Sequence, residues 1–481
     1  MISHDLMAPI MFGGLIVFLL IGYPAAFSLG AVGLFFSFIG IEMGMFQPTF
    51  LQALPDRVFG ILSNDLLLSI PFFTFMGAIL EKCGLAEDML EGLGQLFGPV
   101  RGGLAYAVII VGAILGAITG TVAASVIAMG LISLPIMLRY GYNPRVATGV
   151  IAASGTITQL IPPSLVLIVL ADQLGKSVGD MYAGAIGPSI IQIALFCLFI
   201  FFLSIFRPQD VPALPPEARP KIDWKLLKKI LWGIVPSVAL IFLVLGTILM
   251  GLATPTEGGA MGSVGALVLA AMNGRLQKTL VWDAMTSTMR INAMVIFILI
   301  GSTVFGLAFR GVDGDLWIEE LLSGLPGGQI GFLIAVNLFI FFLAFFLDYF
   351  EIAFIIIPLL APVAQKLGID LIWFGVLLGA NMQTSFMHPP FGFALFYLRG
   401  VAPPSVKSSD IYYGALPWVG LQLILVAIII FIPETVTYFV DKPTAVFDPS
   451  GPSVDPLAGV EQNAVTVDSS SEIERQLREN K

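Results

Sequence analysis

Charge is what this chain lacks most. Of its 481 residues only 11% are Asp, Glu, Lys or Arg, where soluble domains carry about 25%. A water-facing globule of this length could not be covered by so few charges, which excludes a soluble enzyme. The net charge of −9, with no basic face of useful extent, excludes a nucleic-acid binder. Two histidines, His4 and His388, are too few for a clustered His/Cys metal site. Two cysteines, Cys83 and Cys197, both in apolar sequence, make no disulfide framework and read as buried, inert thiols. The N-terminus lacks a basic n-region and a small-residue cleavage site, so it reads as a retained first span.

Hydrocarbon takes the place of charge: 57% of residues are hydrophobic and the mean hydropathy is +0.95. The expected fold class is an all-α polytopic membrane protein. A spanning helix needs about 20 mostly apolar residues. Met7 to Gly40 exceeds one span and is interrupted at Gly22-Tyr23-Pro24, giving two helices or one bent one. The stretch around Asp56, Arg57, Asn64 and Asp65 is amphipathic and is expected at an interface. Apolar segments follow at 66–80, 104–138, 145–171, 182–206, 230–252, 255–273, 288–310, 330–365, 371–399 and 412–437. Segments 104–138 and 330–365 are too long for one span and are interrupted at Gly116–Thr121 and Asp348–Glu351. Each is either a pair of spans or a re-entrant hairpin whose tip stops inside the membrane.

Residues 207–229 concentrate six of the 23 basic residues: Arg207, Arg219, Lys221, Lys225, Lys228 and Lys229. The positive-inside rule makes this connection cytoplasmic, and Arg275 and Lys278 return to the same side. Asp223 to Ile234 sets Trp224, Leu226, Leu227, Ile230 and Leu231 opposite the lysines, the pattern of an amphipathic helix on the membrane surface. The tail 441–481 is polar, holds four prolines and an excess of acids, and is expected to be disordered.

The chain repeats itself at a separation of 227 residues. Pro135, Arg139, Gly141 and Asn143 fall on Pro362, Lys366, Gly368 and Asp370; Ala153 falls on Ala380, and Pro162-Pro163 on Pro389-Pro390. Upstream, Gly84 matches Gly311 and Pro99 matches Pro326, and the offset sets Thr121 over Asp348. Between the helices starting near 145 and 371 lie five spans and one hairpin, an odd number of crossings. The halves should therefore be inverted, which is how many secondary transporters present one binding machinery to both sides of a bilayer.

In each half the helix after the hairpin meets a polar run and then Pro-Pro: Ala153 to Gln159 before Pro162-Pro163, and Ala380 to Ser385 before His388-Pro389-Pro390. Proline lacks an N–H and disfavours helix in the residue before it, so each pair unwinds a turn. Freed carbonyls are costly in lipid, so the breaks must face protein, water or an ion. With Ser, Thr and Asn oxygens they make a hard-cation site, and half-helix N-termini favour an anion. The hairpin tips supply Gly120, Thr121 and Ser125 in one half, Asp348 and Glu351 in the other. Asp348 reads either as a functional acid or as a helix cap; His388 reads as a substrate or proton ligand or as packing.

These residues are also where a family resemblance lies. Gly116-Ala-Ile-Thr-Gly-Thr121, Gly141-Tyr-Asn143, Ala153-Ser-Gly-Thr156, Ile161-Pro-Pro-Ser164, Thr254-Pro-Thr-Glu-Gly258, Gly368-Ile-Asp370 and Pro389-Pro-Phe-Gly392 form an ordered set. With them the chain, from about residue 15 to 440, resembles the large DctM-type permease of tripartite ATP-independent periplasmic (TRAP) transporters. The resemblance implies an inverted-repeat ion-transporter fold with two re-entrant hairpins and two broken helices, working as an elevator. It implies a bacterial inner-membrane importer of an organic acid, with sodium ions as coupling ions and no other cofactor. Its implied partners are a periplasmic substrate-binding protein and a small four-helix membrane subunit. Carried over by motif, one sodium site uses Gly120, Thr121, Ser154, Gly155 and Thr156, and the second uses Asp348, Asn381, Thr384 and Ser385. Substrate would lie between them, at Ser125, Thr158, Gln383 and His388.

The implied organisation is scaffold spans in 1–83, a first transport repeat in 84–180, scaffold spans in 181–300, a second transport repeat in 301–405, a last span in 406–440 and the tail. The chain departs from the family at the second break, where His388-Pro-Pro replaces the usual Thr-Pro-Pro. Competing readings are a self-sufficient sodium/dicarboxylate-type symporter or ion exchanger, and an intramembrane enzyme using His388 and Asp348. The enzyme reading lacks a nucleophile–base pair at any recognisable spacing.

Overall fold

Long apolar runs have one open-ended backbone solution in lipid, the helix, because every N–H and C=O must be satisfied within the segment. The computed structural model describes residues 4–218, 224–389 and 392–440, and it builds them as helices joined by short turns. Arg219, Lys221, Pro390 and the tail from Asp441 lie outside the described residues. Among the described residues seven helices are long and apolar enough to cross a membrane, or up to nine if each of two bent pairs counts as one span.

The first apolar segment is two helices, α1 (His4–Ile21) and α2 (Ala25–Glu42), parted at Gly22 and Pro24. The short amphipathic α3 (Ala53–Leu62) leads to α4 (Ser69–Lys82) and α5 (Leu85–Phe97), which bend by 61°. Next come α6 (Gly103–Thr119) and α7 (Val122–Arg139), folded back on each other through Gly120 at φ 61°. The first broken helix comprises α8 (Pro144–Thr156), a tight turn at Ile157–Gln159 and α9 (Leu165–Leu174). Four long helices follow: α10 (Val178–Phe206), α11 (Trp224–Leu249), α12 (Pro255–Met272) and α13 (Lys278–Gly311).

The second half opens with α14 (Gly314–Ser323) and α15 (Gly328–Leu343), bent by 119°. Its hairpin returns through α16 (Tyr349–Glu351), a π turn at Ile352–Ile356 and α17 (Ile357–Lys366). The second broken helix is α18 (Leu371–Met382), a tight turn at Gln383–Met387 and α19 (Phe393–Val401), followed by α20 (Ser408–Phe431) and α21 (Glu434–Thr437).

The 227-residue repeat is written into the helix ends. It carries Val122–Arg139 onto Tyr349–Lys366, Pro144 onto Leu371 and Leu174, the end of α9, onto Val401, the end of α19. The two halves also run in opposite senses. α8 begins beside the basic connection, where the Asn143 N–H and Nδ2 donate to Asp210 O and Oδ1, both at 3.0 Å. α20 begins on the same face, where Arg145 meets Asp410 at 3.2 Å. On the opposite face Asp172, near the end of α9, accepts from Asn64 Nδ2 at 2.6 Å and shares a cavity with Arg57, Arg310 and Pro358. α18 begins on that side, after Gln329 Nε2 donates to Leu367 O at 2.7 Å and Lys366 pairs with Glu319. The halves are interlocked: α7 packs on α19, and α17 on α9.

Two features differ from the sequence reading or explain it. The amphipathic stretch expected as a separate surface helix is the start of α11. Its apolar side has a protein partner: Leu226 and Ile230 are buried, and a Cβ at Gly92 of α5 would stand 2.6 Å from Ile230 Cγ1. The Thr254-Pro-Thr-Glu motif is a capping box, with Thr254 Oγ1 accepting the Glu257 N–H at 3.2 Å and Glu257 Oε2 accepting the Thr254 N–H at 2.8 Å. Thr256 Oγ1 donates to Asp65 O at 2.7 Å, tying α12 to the turn before α4. Cys83 is buried and Cys197 half-buried, and neither is in a disulfide.

Candidate ion and substrate site at the two broken helices

The first break is assembled by close backbone approach. α8 starts on Pro144 with the Asn143 side chain accepting the Arg145 N–H at 3.0 Å, and it stops before the Pro162-Pro163 pair removes its donors. Small residues let the hairpin press against it. A Cβ at Gly112 of α6 would lie 2.6 Å from Ser154 Cβ, and one at Gly155 would lie 2.2 Å from Val126 Cγ2 of α7. The tip stands over the start of α9, with Leu165 Cγ 3.6 Å from the Cβ position of Gly120. Ser164 caps α9, its Oγ accepting the Val166 N–H at 3.2 Å and donating to Gln159 O at 2.6 Å. The arrangement gathers Gly120 and Thr121 of the tip with the broken helix; Ser125 follows one turn along α7, fully buried.

Inside this break Ser154 Oγ, Thr158 Oγ1 and Gln159 Oε1 are buried with no hydrogen-bond partner. Thr156 differs from them. Its hydroxyl donates to Ala153 O at 2.8 Å and accepts from Gln422 Nε2 of α20 at 2.9 Å, which leaves one lone pair and its backbone carbonyl for a ligand.

The second break repeats the plan with different chemistry. Asp370 caps α18 by accepting the Ile372 and Trp373 N–H groups at 2.9 and 2.8 Å. Asn381, 227 residues after Ser154, donates through Nδ2 to Asn337 O and Oδ1 of α15 at 2.7 and 3.0 Å, and its own Oδ1 is unpartnered. Thr384 Oγ1 is likewise buried and unpartnered, and Ser385 is buried. Gln383 exchanges amide hydrogen bonds with Gln192 of α10 at 2.9 and 3.3 Å.

Asp348 caps the return arm of the second hairpin. Its Oδ1 accepts the Phe350 N–H at 2.5 Å, while Glu351 Oε2 accepts the Asp348 N–H at 3.1 Å. The Tyr349 ring lies 6.0 Å from Phe386, placing the tip beside the break; no hydrogen bond joins Asp348 to Asn381, Thr384 or Ser385. His388 is stacked on Phe345 with centroids 4.1 Å apart and set edge-on to Phe341 at 4.4 Å. Both of its ring nitrogens are buried without a partner.

Three amides beside the breaks escaped the sequence reading: Gln192, Asn337 and Gln422. The signal for two of them was available. Gln192 and Gln422 are the single side-chain amides of α10 and α20, each in an otherwise apolar run, and an amide in such a run needs a partner inside the protein.

Neutral oxygens dominate both breaks. Hydroxyl, amide and backbone carbonyl oxygens suit a hard, weakly polarising cation, and buried polar atoms without a protein partner call for a water or an ion. Such a set binds and releases; it holds no nucleophile with an adjacent base. The comparisons with known proteins agree. The Pseudomonas aeruginosa C4-dicarboxylate TRAP transporter large permease protein DctM is 29% identical over 81% of this chain and 89% of its own length. The Vibrio cholerae sialic acid TRAP transporter large permease protein SiaM is 26% identical over 86% of this chain and 93% of its own. In fold, the crystal structure of the Alcanivorax borkumensis YdaH transporter is similar, with a TM-score of 0.58 at 15% identity, over 81% of this chain and 89% of that one. A family model described as the tripartite ATP-independent periplasmic transporter, DctM component, matches residues 12–435, and the chain accordingly belongs to that family, as the large permease of a TRAP transporter and not an enzyme.

Proposed function

We propose that this permease imports an organic acid across the bacterial inner membrane by sodium-coupled elevator transport. The observation that carries the reading is the recurrence of orphaned neutral oxygens in two oppositely oriented breaks: Ser154 Oγ and Thr158 Oγ1 in one, Asn381 Oδ1 (at the repeat position of Ser154) and Thr384 Oγ1 in the other. One sodium ion would take Ser154 Oγ, with backbone carbonyls of Gly120, Thr121, Gly155 and Thr156. A second would take Asn381 Oδ1, Thr384 Oγ1 and Ser385, with Asp348 at the tip supplying charge. Substrate would lie between, against Ser125, Thr158 and His388. Gln383 is clasped to Gln192 and would have to release it to join them.

The two hairpins and two broken helices would move together against α2, α4, α12 and α13. The basic connection after α10 would be cytoplasmic. A periplasmic binding protein would deliver the substrate to the opposite face, and a small membrane subunit would brace the scaffold helices. Uptake by proteoliposomes holding the permease and its small subunit, with binding protein outside, tests this. Uptake should require an inward sodium gradient and the binding protein. Uptake that survives collapse of the gradient sinks sodium coupling, and uptake without the binding protein favours the self-sufficient symporter.

A further inference from the structure

On the face opposite the basic connection lies a cavity of about 350 Å³ that the ion and substrate assignments leave unused. It opens between α3 and the end of α13 on one side and the π turn of the second hairpin, with the end of α9, on the other. Two arginines line it, Arg57 from α3 and Arg310 from α13. Neither is paired with a carboxylate of the described residues; Lys82–Asp283, Arg145–Asp410 and Lys366–Glu319 pair other groups.

The cavity's own acid is already occupied. Asp172 accepts from Asn64 Nδ2 through one oxygen at 2.6 Å and from Gln173 Nε2 through the other at 2.9 Å. Those donors are neutral amides, so Asp172 offsets one positive charge and the two guanidinium groups leave the space net positive. Partial burial and the charge of Arg310 both lower the Arg57 pKa from its ordinary value, as expected of like charges sharing a cavity. A planar anion relieves that repulsion, and guanidinium forks match a carboxylate bidentately. The volume falls in the range of small-molecule sites, roughly 300–1,000 Å³.

We propose that this cavity is an anion-capture site that takes an organic carboxylate on Arg57 and Arg310 at the outer face. The inference rests on the organic-acid reading above and adds where the acid is first held. Phe354 and Ile355 of the π turn form its far wall, six and seven residues beyond the Asp348 tip, so an anion held there lies against the hairpin that would carry it inward. Single π turns often mark functional sites.

The test is thermal unfolding of the full chain, purified with its small subunit, in succinate, its uncharged analogue succinamide, or inorganic phosphate. Succinate should raise the transition temperature and succinamide should not. In Arg57→Gln and in Arg310→Gln the succinate concentration needed should rise about tenfold or more, the worth of a lost charged hydrogen bond, while Arg57→Lys should fall between. Equal protection by succinate and succinamide, no protection by either, or protection that survives both glutamine variants would overturn the proposal. A phosphate effect as large as that of succinate would also overturn it, pointing to a lipid headgroup or general oxyanion site. Sodium protection is read in the same titrations: its loss with succinate protection intact fails the coupling scheme and leaves the capture site standing.

Discussion

Gln422 of α20 donates to the Thr156 hydroxyl at 2.9 Å, and Gln383, which stands 227 residues after Thr156, is held by Gln192 of α10. The same position of each broken helix is thus clasped by the only amide of the long helix that follows the other break: α20 reaches back to the first break, and α10 reaches forward to the second. The clasps cross between halves. They tie the two breaks into one body, as a unit that moves together requires.

The two clasps should differ in strength. Gln192→Leu strands both polar ends of the Gln383 amide in a buried site, costing about 1–3 kcal/mol. Gln422→Leu removes one bond from a hydroxyl that still donates to Ala153, costing about 0.6 kcal/mol, the average for such bonds in membranes. Thermal unfolding of the two variants should rank them in that order, and Gln192→Leu with Gln383→Leu should cost less than the two singly added.

Close approach at the first break predicts a sharp contrast among glycines. Gly112→Ala would put a methyl 2.6 Å from Ser154 Cβ and 2.9 Å from Ser154 O, forcing the hairpin off the broken helix at about 1–3 kcal/mol and abolishing uptake. Gly13→Ala, in the middle of α1 with no atom within 4 Å of the new methyl, should leave uptake intact and stability equal or up to about 1 kcal/mol higher.

At His388, packing and ligation can be separated. Its ring is sandwiched by Phe341 and Phe345, yet neither nitrogen is satisfied. His388→Phe should keep the stacking and the unfolding temperature but raise the substrate KM by about tenfold, the loss of one good hydrogen bond. His388→Ala should lose both, with a stability cost of about 2–4 kcal/mol. Unaltered uptake kinetics in His388→Phe would make the residue a packing element only.

Much of this was legible in the sequence, because the signals were periodic or punctuated. The repeat, the Pro-Pro breaks and the interrupted hairpins each rest on residues that dictate backbone, and the helix ends fall where Pro144, Gly120 and Gly22 put them. Interactions between distant side chains were not legible. Gln192 and Gln422 look like isolated polar residues until the fold brings Gln383 and Thr156 to them, and their positions in the repeat are offset by about one helical turn. Arg57 and Arg310 lie on helices with no shared pattern, so only the assembled cavity relates them. Asp348 admitted two readings, and the structure shows it capping the return arm through Oδ1, a role compatible with the ion-site reading.

The central claim is that the orphaned oxygens of the two breaks hold sodium, and thermal unfolding of the purified permease in sodium against matched potassium or choline tests it most directly. An ion that binds only the folded chain stabilises it by about 2.7 kcal/mol at roughly 100 times its dissociation constant. A sodium-specific rise in the transition temperature is predicted, reduced in Ser154→Ala, reduced in Asn381→Ala and absent in the double variant. The same rise in all three variants, or no difference between the cations in the wild-type chain, would contradict it.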